Sequence, residues 1–135
     1  LRMSKQEIKD EFKNMEGDPQ VKGRIRRIQM QMAQKRMMSN VPNADVVITN
    51  PTHYAVALKY DNKIDSAPKI VAKGIDFLAL KIRDVAKENK IPIIENPALA
   101  RSLYDQIDID REIPSEFYKA MAEVFSYVYE LKRKR

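Results

Sequence analysis

Residues 50 to 53, Asn50-Pro51-Thr52-His53, carry the reactive chemistry this sequence offers. An asparagine usually damages its chain when the next backbone nitrogen attacks the side-chain amide. Pro51 has no N–H, so that route is closed. The reverse attack stays open: the Asn50 side-chain nitrogen bonds to the Asn50 carbonyl carbon, closes a five-membered imide and expels the proline nitrogen. The chain is then cut between Asn50 and Pro51 with no outside enzyme, metal or cofactor. Such an attack needs a turn that fixes the reacting groups, strain that weakens the scissile bond and donors aimed at the carbonyl oxygen. His53, the only histidine in the chain, is a candidate to take or give a proton. A lone histidine in such a loop is more often a turn or surface residue than a catalyst. Thr52 can hydrogen-bond within the turn.

Asn-Pro also starts ordinary turns, and the sequence contains its own comparison. Asn96-Pro97 reads as a helix N-cap followed by proline at the first helical position. No histidine stands beside it.

The elements around the two dipeptides follow from pattern. Ser4-Lys5-Gln6-Glu7 is a capping box that starts a helix. Gly17-Asp18-Pro19 breaks it, with Asp18 capping a second helix. In that second helix Val21, Ile25, Ile28 and Met32 recur at helical spacing among Arg24, Arg26, Arg27, Lys35 and Arg36. Val41-Pro42 ends it, so residues 1–40 read as an extended helical linker. Residues 41–135 read as a compact α/β body. Strands are expected at 45–49, 54–60, 69–73 and 91–94. Gly74 is expected to free the backbone for a turn into a helix carrying Ile75, Leu78, Ile82 and Val85 on one face. Asn89-Lys90 closes that helix. Strand, helix, strand at this spacing implies one parallel crossover, right-handed by the usual rule. A short helix is expected at 98–104. A last one opens at Pro114-Ser115, with Phe117, Met121, Val124, Phe125, Val128 and Leu131 as its apolar stripe. Tyr118, Tyr127 and Tyr129 are expected to pack rather than to stack on bases. The fold class is α/β: a small central sheet of about four strands surrounded by helices, with the linker preceding it.

Composition removes several functions. With 135 residues there is one modest domain. The absence of cysteine excludes disulfides, thiolate metal sites and cysteine nucleophiles, and fits a reducing compartment. One histidine and no cysteine make a zinc site unexpected, so neither metal nor cofactor is predicted. No apolar run approaches the ~20 residues that span a bilayer, and the chain reads as a soluble piece of something longer, since it begins at Leu1. Residues 1–40 carry ten Lys/Arg against five Asp/Glu, a net of +5, and the rest carry fifteen against fourteen, a net of +1. The basic arm reads either as a solvated charged helix or, with the basic tail 132–135, as pointing to an anionic neighbour, a lipid surface or a nucleic acid. The charge does not lie over an aromatic sheet face, which disfavours the nucleic-acid module as the alternative. A turnover enzyme lacks its usual signatures: there is no glycine-rich phosphate loop and no triad. Asp108 and Asp110 read as a solvated loop.

Asn50-Pro51-Thr52-His53, preceded by an apolar strand and followed by Tyr54-Ala55-Val56-Ala57-Leu58, resembles the FlhB/YscU family, the export-switch proteins of type III secretion. "APKIVAKG" at 67–74, "IPIIENPALARSLY" at 91–104 and "IDREIPSEFYKAMAEV" at 109–124 agree with it. The likeness is to the cytoplasmic C-terminal domain, more to the flagellar branch than to the virulence-injectisome branch. The resemblance implies an N-terminal membrane domain preceding the linker, at the cytoplasmic face of the bacterial inner membrane. It implies single-turnover self-cleavage between Asn50 and Pro51 with the halves staying associated. Cleavage would switch export from rod and hook substrates to filament substrates. The implied partners are export-gate components, exported substrates and the hook-length control protein, with a membrane surface beside the linker and no nucleic acid. Carried onto this chain, Asn50 is the nucleophile and owner of the cleaved carbonyl, Pro51 supplies the leaving nitrogen, and Thr52 and His53 shape the loop.

Overall fold

Short continuous apolar runs, buried on both faces, settle the sheet. In a computed structural model, which describes residues 4–51 and 53–134, the strands are β1 (Val46–Asn50), β2 (Tyr54–Lys59), β3 (Lys69–Ile75) and β4 (Ile93–Glu95). The helices are α1 (Lys5–Gly17), α2 (Pro19–Asn40), α3 (Asp76–Glu88), α4 (Pro97–Gln106) and α5 (Tyr118–Arg133). Single 3-10 turns at Val41–Asn43 and Ser115–Phe117 follow α2 and precede α5. The strand order is β3-β2-β1-β4, with β1 antiparallel to β2 and β2 antiparallel to β3, while β4 lies parallel to β1. The expected crossover therefore runs from β3 through α3 to β4. Its two strands are parallel but occupy opposite edges, with β2 and β1 between them.

Each strand sends alternate residues to opposite faces, and each face has its own core. Val46, Ile48, Val56, Leu58 and Ile70 pack with Leu99, Ala100 and Leu103 of α4 and with Met121, Val124 and Val128 of α5. Val47, Ala55, Ala57, Val71 and Ala72 pack with Ala79, Ile82 and Ala86 of α3. A register shift between Ala57 and Leu58 leaves Val71 without an opposite residue on β2, which puts both Val71 and Ala72 in the α3-side core. The outer edge of β3 is closed by residues 110–113: Asp110 donates to the Ile70 carbonyl at 2.7 Å and Ile113 to the Pro68 carbonyl at 2.8 Å.

The chain divides into two units, Leu1–Arg36 and Met37–Arg135. In the first, the capping box is reciprocal: Glu7 N–H donates to Ser4 Oγ at 3.1 Å and Ser4 N–H to Glu7 Oε2 at 3.2 Å. Asp18 Oδ1 accepts from Gln20 N–H at 2.8 Å, which starts α2. Ile25, Ile28, Met30 and Met32 are exposed. The second unit begins at Met37, which is buried, so the body takes in the last turn of α2 as well as residues 41–135. No helix among the described residues is long and apolar enough to cross a membrane.

Three expectations need correction. Gly74 does not turn the chain. It lies inside β3 with a negative φ, and the turn falls at Asp76, whose φ is 48°. Gly74 is there for space: a Cβ would lie 2.8 Å from Leu78 Cγ. The strand expected at 91–94 is shorter and half-buried, because β4 is an edge strand and Ile91 packs ahead of it. Tyr118, Tyr127 and Tyr129 are all exposed rather than packed. Tyr118 and Tyr129 instead help to line an apolar groove of about 240 Å³ with Tyr60, Ala67, Pro68 and Phe125.

Candidate functional site

Asn50 ends β1 and Tyr54 opposite it begins β2, so residues 51–53 are the whole hairpin connection. The backbone N–H of His53 donates to the Asn50 carbonyl oxygen at 3.1 Å, which closes a β-turn with Pro51 at its second position. Proline is favoured there because its φ is already near the value the turn needs. The carbonyl that the side-chain amide of Asn50 would attack therefore already carries one donor. A donor on that oxygen gains strength as negative charge builds on it.

Two further hydrogen bonds tie the loop to α3. Asp76 N–H donates to the His53 carbonyl at 3.0 Å, and Arg83 Nη1 donates to the Pro51 carbonyl at 2.8 Å. The first continues the β2–β3 pairing by one bond; Asp76 itself takes a φ of 48° where β3 gives way to α3, a left-handed backbone that costs a non-glycine residue roughly 1–3 kcal/mol. Asn50 and Pro51 are half-buried, while the His53 ring is exposed to solvent. It is the His53 backbone, through both its N–H and its carbonyl, that builds the loop. Thr52 lies outside the described residues, as does Arg135 of the basic tail.

The base of the site is tied into the sheet. Thr49, next to Asn50, is buried between β2 and β4. Asn96 N–H donates to the Thr49 carbonyl at 2.9 Å. Tyr54 packs its ring against Tyr104 of α4 at 5.2 Å between centroids. Lys73 reaches over the Tyr104 ring and donates from Nζ to the Tyr104 and Ile107 carbonyls at 2.8 and 2.9 Å. It thereby caps the C-terminal end of α4.

Arg83 escapes a reading centred on residues 50–53. Its signal is positional. Ala79, Ile82 and Ala86 form the buried stripe of α3, and Arg83, four residues after Ala79 and three before Ala86, falls on the same side. A charged residue inside an apolar stripe needs a partner, and here the partner is the Pro51 carbonyl.

Comparison with known proteins gives one family. A model described as the FlhB HrpN YscU SpaS Family matches residues 1–128. The flagellar biosynthetic protein FlhB of Bacillus subtilis is 58% identical over 134 residues, covering 99% of this chain and 37% of that protein. FlhB of Salmonella typhimurium is 56% identical over 135 residues, covering 100% of this chain and 35% of that protein. The chain thus spans little more than a third of the length of these relatives. Among solved structures, the cytoplasmic domain of FlhB from Shewanella putrefaciens superposes with a TM-score of 0.72 at 48% identity, over 75% of this chain and 78% of that one. A point-mutated EscU C-terminal domain superposes with a TM-score of 0.66 at 32% identity, over 68% of this chain and 92% of that one.

Proposed function

The chain belongs to the FlhB, HrpN, YscU and SpaS family, and from that premise we propose that it is the self-cleaving cytoplasmic part of a flagellar type III export-apparatus protein. The observation that carries the cleavage is the turn itself: an Asn-Pro bond whose asparagine carbonyl is held by a backbone donor at 3.1 Å. The Asn50 side-chain nitrogen loses a proton and bonds to the Asn50 carbonyl carbon. The bond from that carbon to the Pro51 nitrogen breaks, and that nitrogen takes up a proton and leaves as a secondary amine. A succinimide remains at Asn50, and water later opens it. Every atom is accounted for without an external reactant until that hydrolysis.

The cut falls between two strands that remain paired, so it frees a loop and leaves the sheet hydrogen bonds in place. This fits a switch that alters a surface without dismantling the domain. In the whole protein, cleavage licenses the change from rod and hook substrates to filament substrates. The linker, residues 1–40, leads from a membrane domain at the cytoplasmic face of the inner membrane, and its basic residues lie beside anionic lipid. The partners are export-gate components, exported substrates and the hook-length control protein. The names of the flagellar relatives and the identities of 56–58% to them support the flagellar branch over the injectisome one.

The test is an intact-mass spectrum of freshly denatured protein beside Asn50→Ala. Two fragments, one ending at Asn50 and one starting at Pro51, are expected in the wild type and absent from the variant. Their masses sum to the chain, or to the chain plus one water once the imide has opened. A single stable 15.7 kDa species in the wild type rules the reading out.

A further inference from the structure

We infer that Arg83 is a positioning residue for the Asn50-Pro51 cleavage, holding the leaving side of the scissile bond; the inference rests on the self-cleavage reading above. The two sides of that bond are anchored to different elements. Asn50 is fixed by β1, through its pairing with Tyr54 and the Thr49 contacts to β4. Pro51 is fixed by α3, through the 2.8 Å hydrogen bond from Arg83 Nη1 to its carbonyl. A reaction that requires a side chain to reach its own backbone carbonyl gains when neither side of the bond can swing away.

Arg83 is poorly explained as a packing or solubility residue. It stands on the buried side of α3, among Ala79, Ile82 and Ala86. Its Nε is buried with no hydrogen-bond partner among the described residues. An unpaired buried donor costs about 1–3 kcal/mol, so its place here calls for an explanation. Arginine suits the place because its guanidinium stays charged and offers several donors in a fixed plane, which lysine does not. Pro51 and Arg83 both lie on the C-terminal fragment, so the same bond would hold the new N-terminus after the cut.

The experiment follows cleavage of the 135-residue chain by intact mass during refolding, for wild type, Arg83→Lys, Arg83→Gln and Arg83→Ala. The same substitutions in an Asn50→Ala background give melting temperatures of uncut protein. We expect Arg83→Ala and Arg83→Gln to slow cleavage by about tenfold to a hundredfold, with Arg83→Lys recovering part of the rate. Added methylguanidinium should restore cleavage to Arg83→Ala, an effect a purely structural residue would not give. Wild-type rates in all three variants overturn the inference and leave the self-cleavage reading standing. So does slowing that tracks the loss in melting temperature and responds to neither lysine nor methylguanidinium. An uncut wild type overturns both.

Discussion

The Thr49 carbonyl accepts a 2.9 Å hydrogen bond from the backbone N–H of Asn96, which continues the pairing of Thr49 with Glu95. The two Asn-Pro dipeptides of the chain therefore lie side by side at the ends of parallel neighbours β1 and β4. Their settings differ. The Asn96 side-chain oxygen accepts from Leu99 N–H at 3.2 Å, and its carbonyl accepts from Ala100 N–H at 2.9 Å. The cap bond thus fixes the Asn96 side-chain amide, the group that cyclisation would have to bring to the carbonyl carbon. Asn50 has a turn where Asn96 has a helix. Asn96→Ala is expected to leave the Asn50 cut unchanged and to produce no fragment starting at Pro97. It should destabilise the fold by about 1 kcal/mol, the usual loss of an N-cap, read by urea denaturation in an Asn50→Ala background. A second fragment pair at Asn96-Pro97 in wild-type protein would contradict the distinction.

The donor on the Asn50 carbonyl belongs to the backbone of His53, at 3.1 Å from the oxygen. Removing the imidazole and removing the N–H are therefore separable. His53→Ala keeps the donor, and His53→Pro deletes it. If the backbone donor matters most, His53→Pro should slow cleavage by about a hundredfold or more, the typical loss of one oxyanion donor, while His53→Ala loses much less. A pH profile of His53→Ala that matches wild type in shape leaves the ring out of the proton transfer. A profile that loses one limb assigns the ring a part as acid or base.

Much of this was legible before any coordinates. The strands showed as short apolar runs between turn residues, the capping box as Ser4 and Glu7, and the β1–β2 turn as an Asn-Pro dipeptide between two of those runs. Asn96-Pro97 was readable as a cap because the helical pattern begins right after it. What stayed hidden depends on long-range pairing. The strand order puts β4 beside β1 rather than β3, and no local pattern encodes that. Gly74 was misread because glycine usually signals a turn. The turn went to Asp76, whose φ is 48°, and Gly74 was needed for the approach of Leu78. Arg83 is one of 25 basic residues, distinguished only by its place in the stripe of α3.

The α4 cap by Lys73 gives a stability test away from the loop. Its ammonium donates to two carbonyls at the helix end, Tyr104 and Ile107, from a half-buried position. Hydrogen bonds from a charged donor contribute about 1.5–3 kcal/mol. Lys73→Met keeps most of the stem and loses both bonds. It should lower the stability of the Asn50→Ala protein by about that amount in urea. A change within experimental scatter would mean that water replaces Lys73 at these carbonyls without loss.

Gly74→Ala probes the packing beneath the loop. The added Cβ would lie 2.8 Å from Leu78 Cγ and 2.9 Å from Leu78 Cβ. A new rotamer moves Cγ but not Cβ, so the backbones of β3 and α3 must separate. Overpacking of this kind typically costs about 1–3 kcal/mol. Leu78→Ala removes the nearer contact and should return part of the loss in a double-mutant cycle. Additive losses would show that the strand and helix separate without strain.

Cleavage should turn one folding unit into two chains that fold together. Residues up to Asn50 bring Val46, Val47 and Ile48 into the two cores, all three fully buried. Each such side chain contributes about 1.5–3 kcal/mol on burial, and β1 pairs with both β2 and β4 along residues the cut does not remove. The fragments should therefore co-elute, with the far-UV spectrum of the Asn50→Ala protein. Their unfolding becomes a dissociation, so the melting temperature of cut protein must rise with concentration. Tenfold more protein favours the paired state by about 1.4 kcal/mol, and a domain of this size gains about 4–8 °C per kcal/mol. The Asn50→Ala protein, one chain, should melt at the same temperature throughout. A spectrum that collapses on cutting would sink the idea that cleavage spares the fold. A concentration-independent melt of cut protein would mean that the fragments unfold without separating.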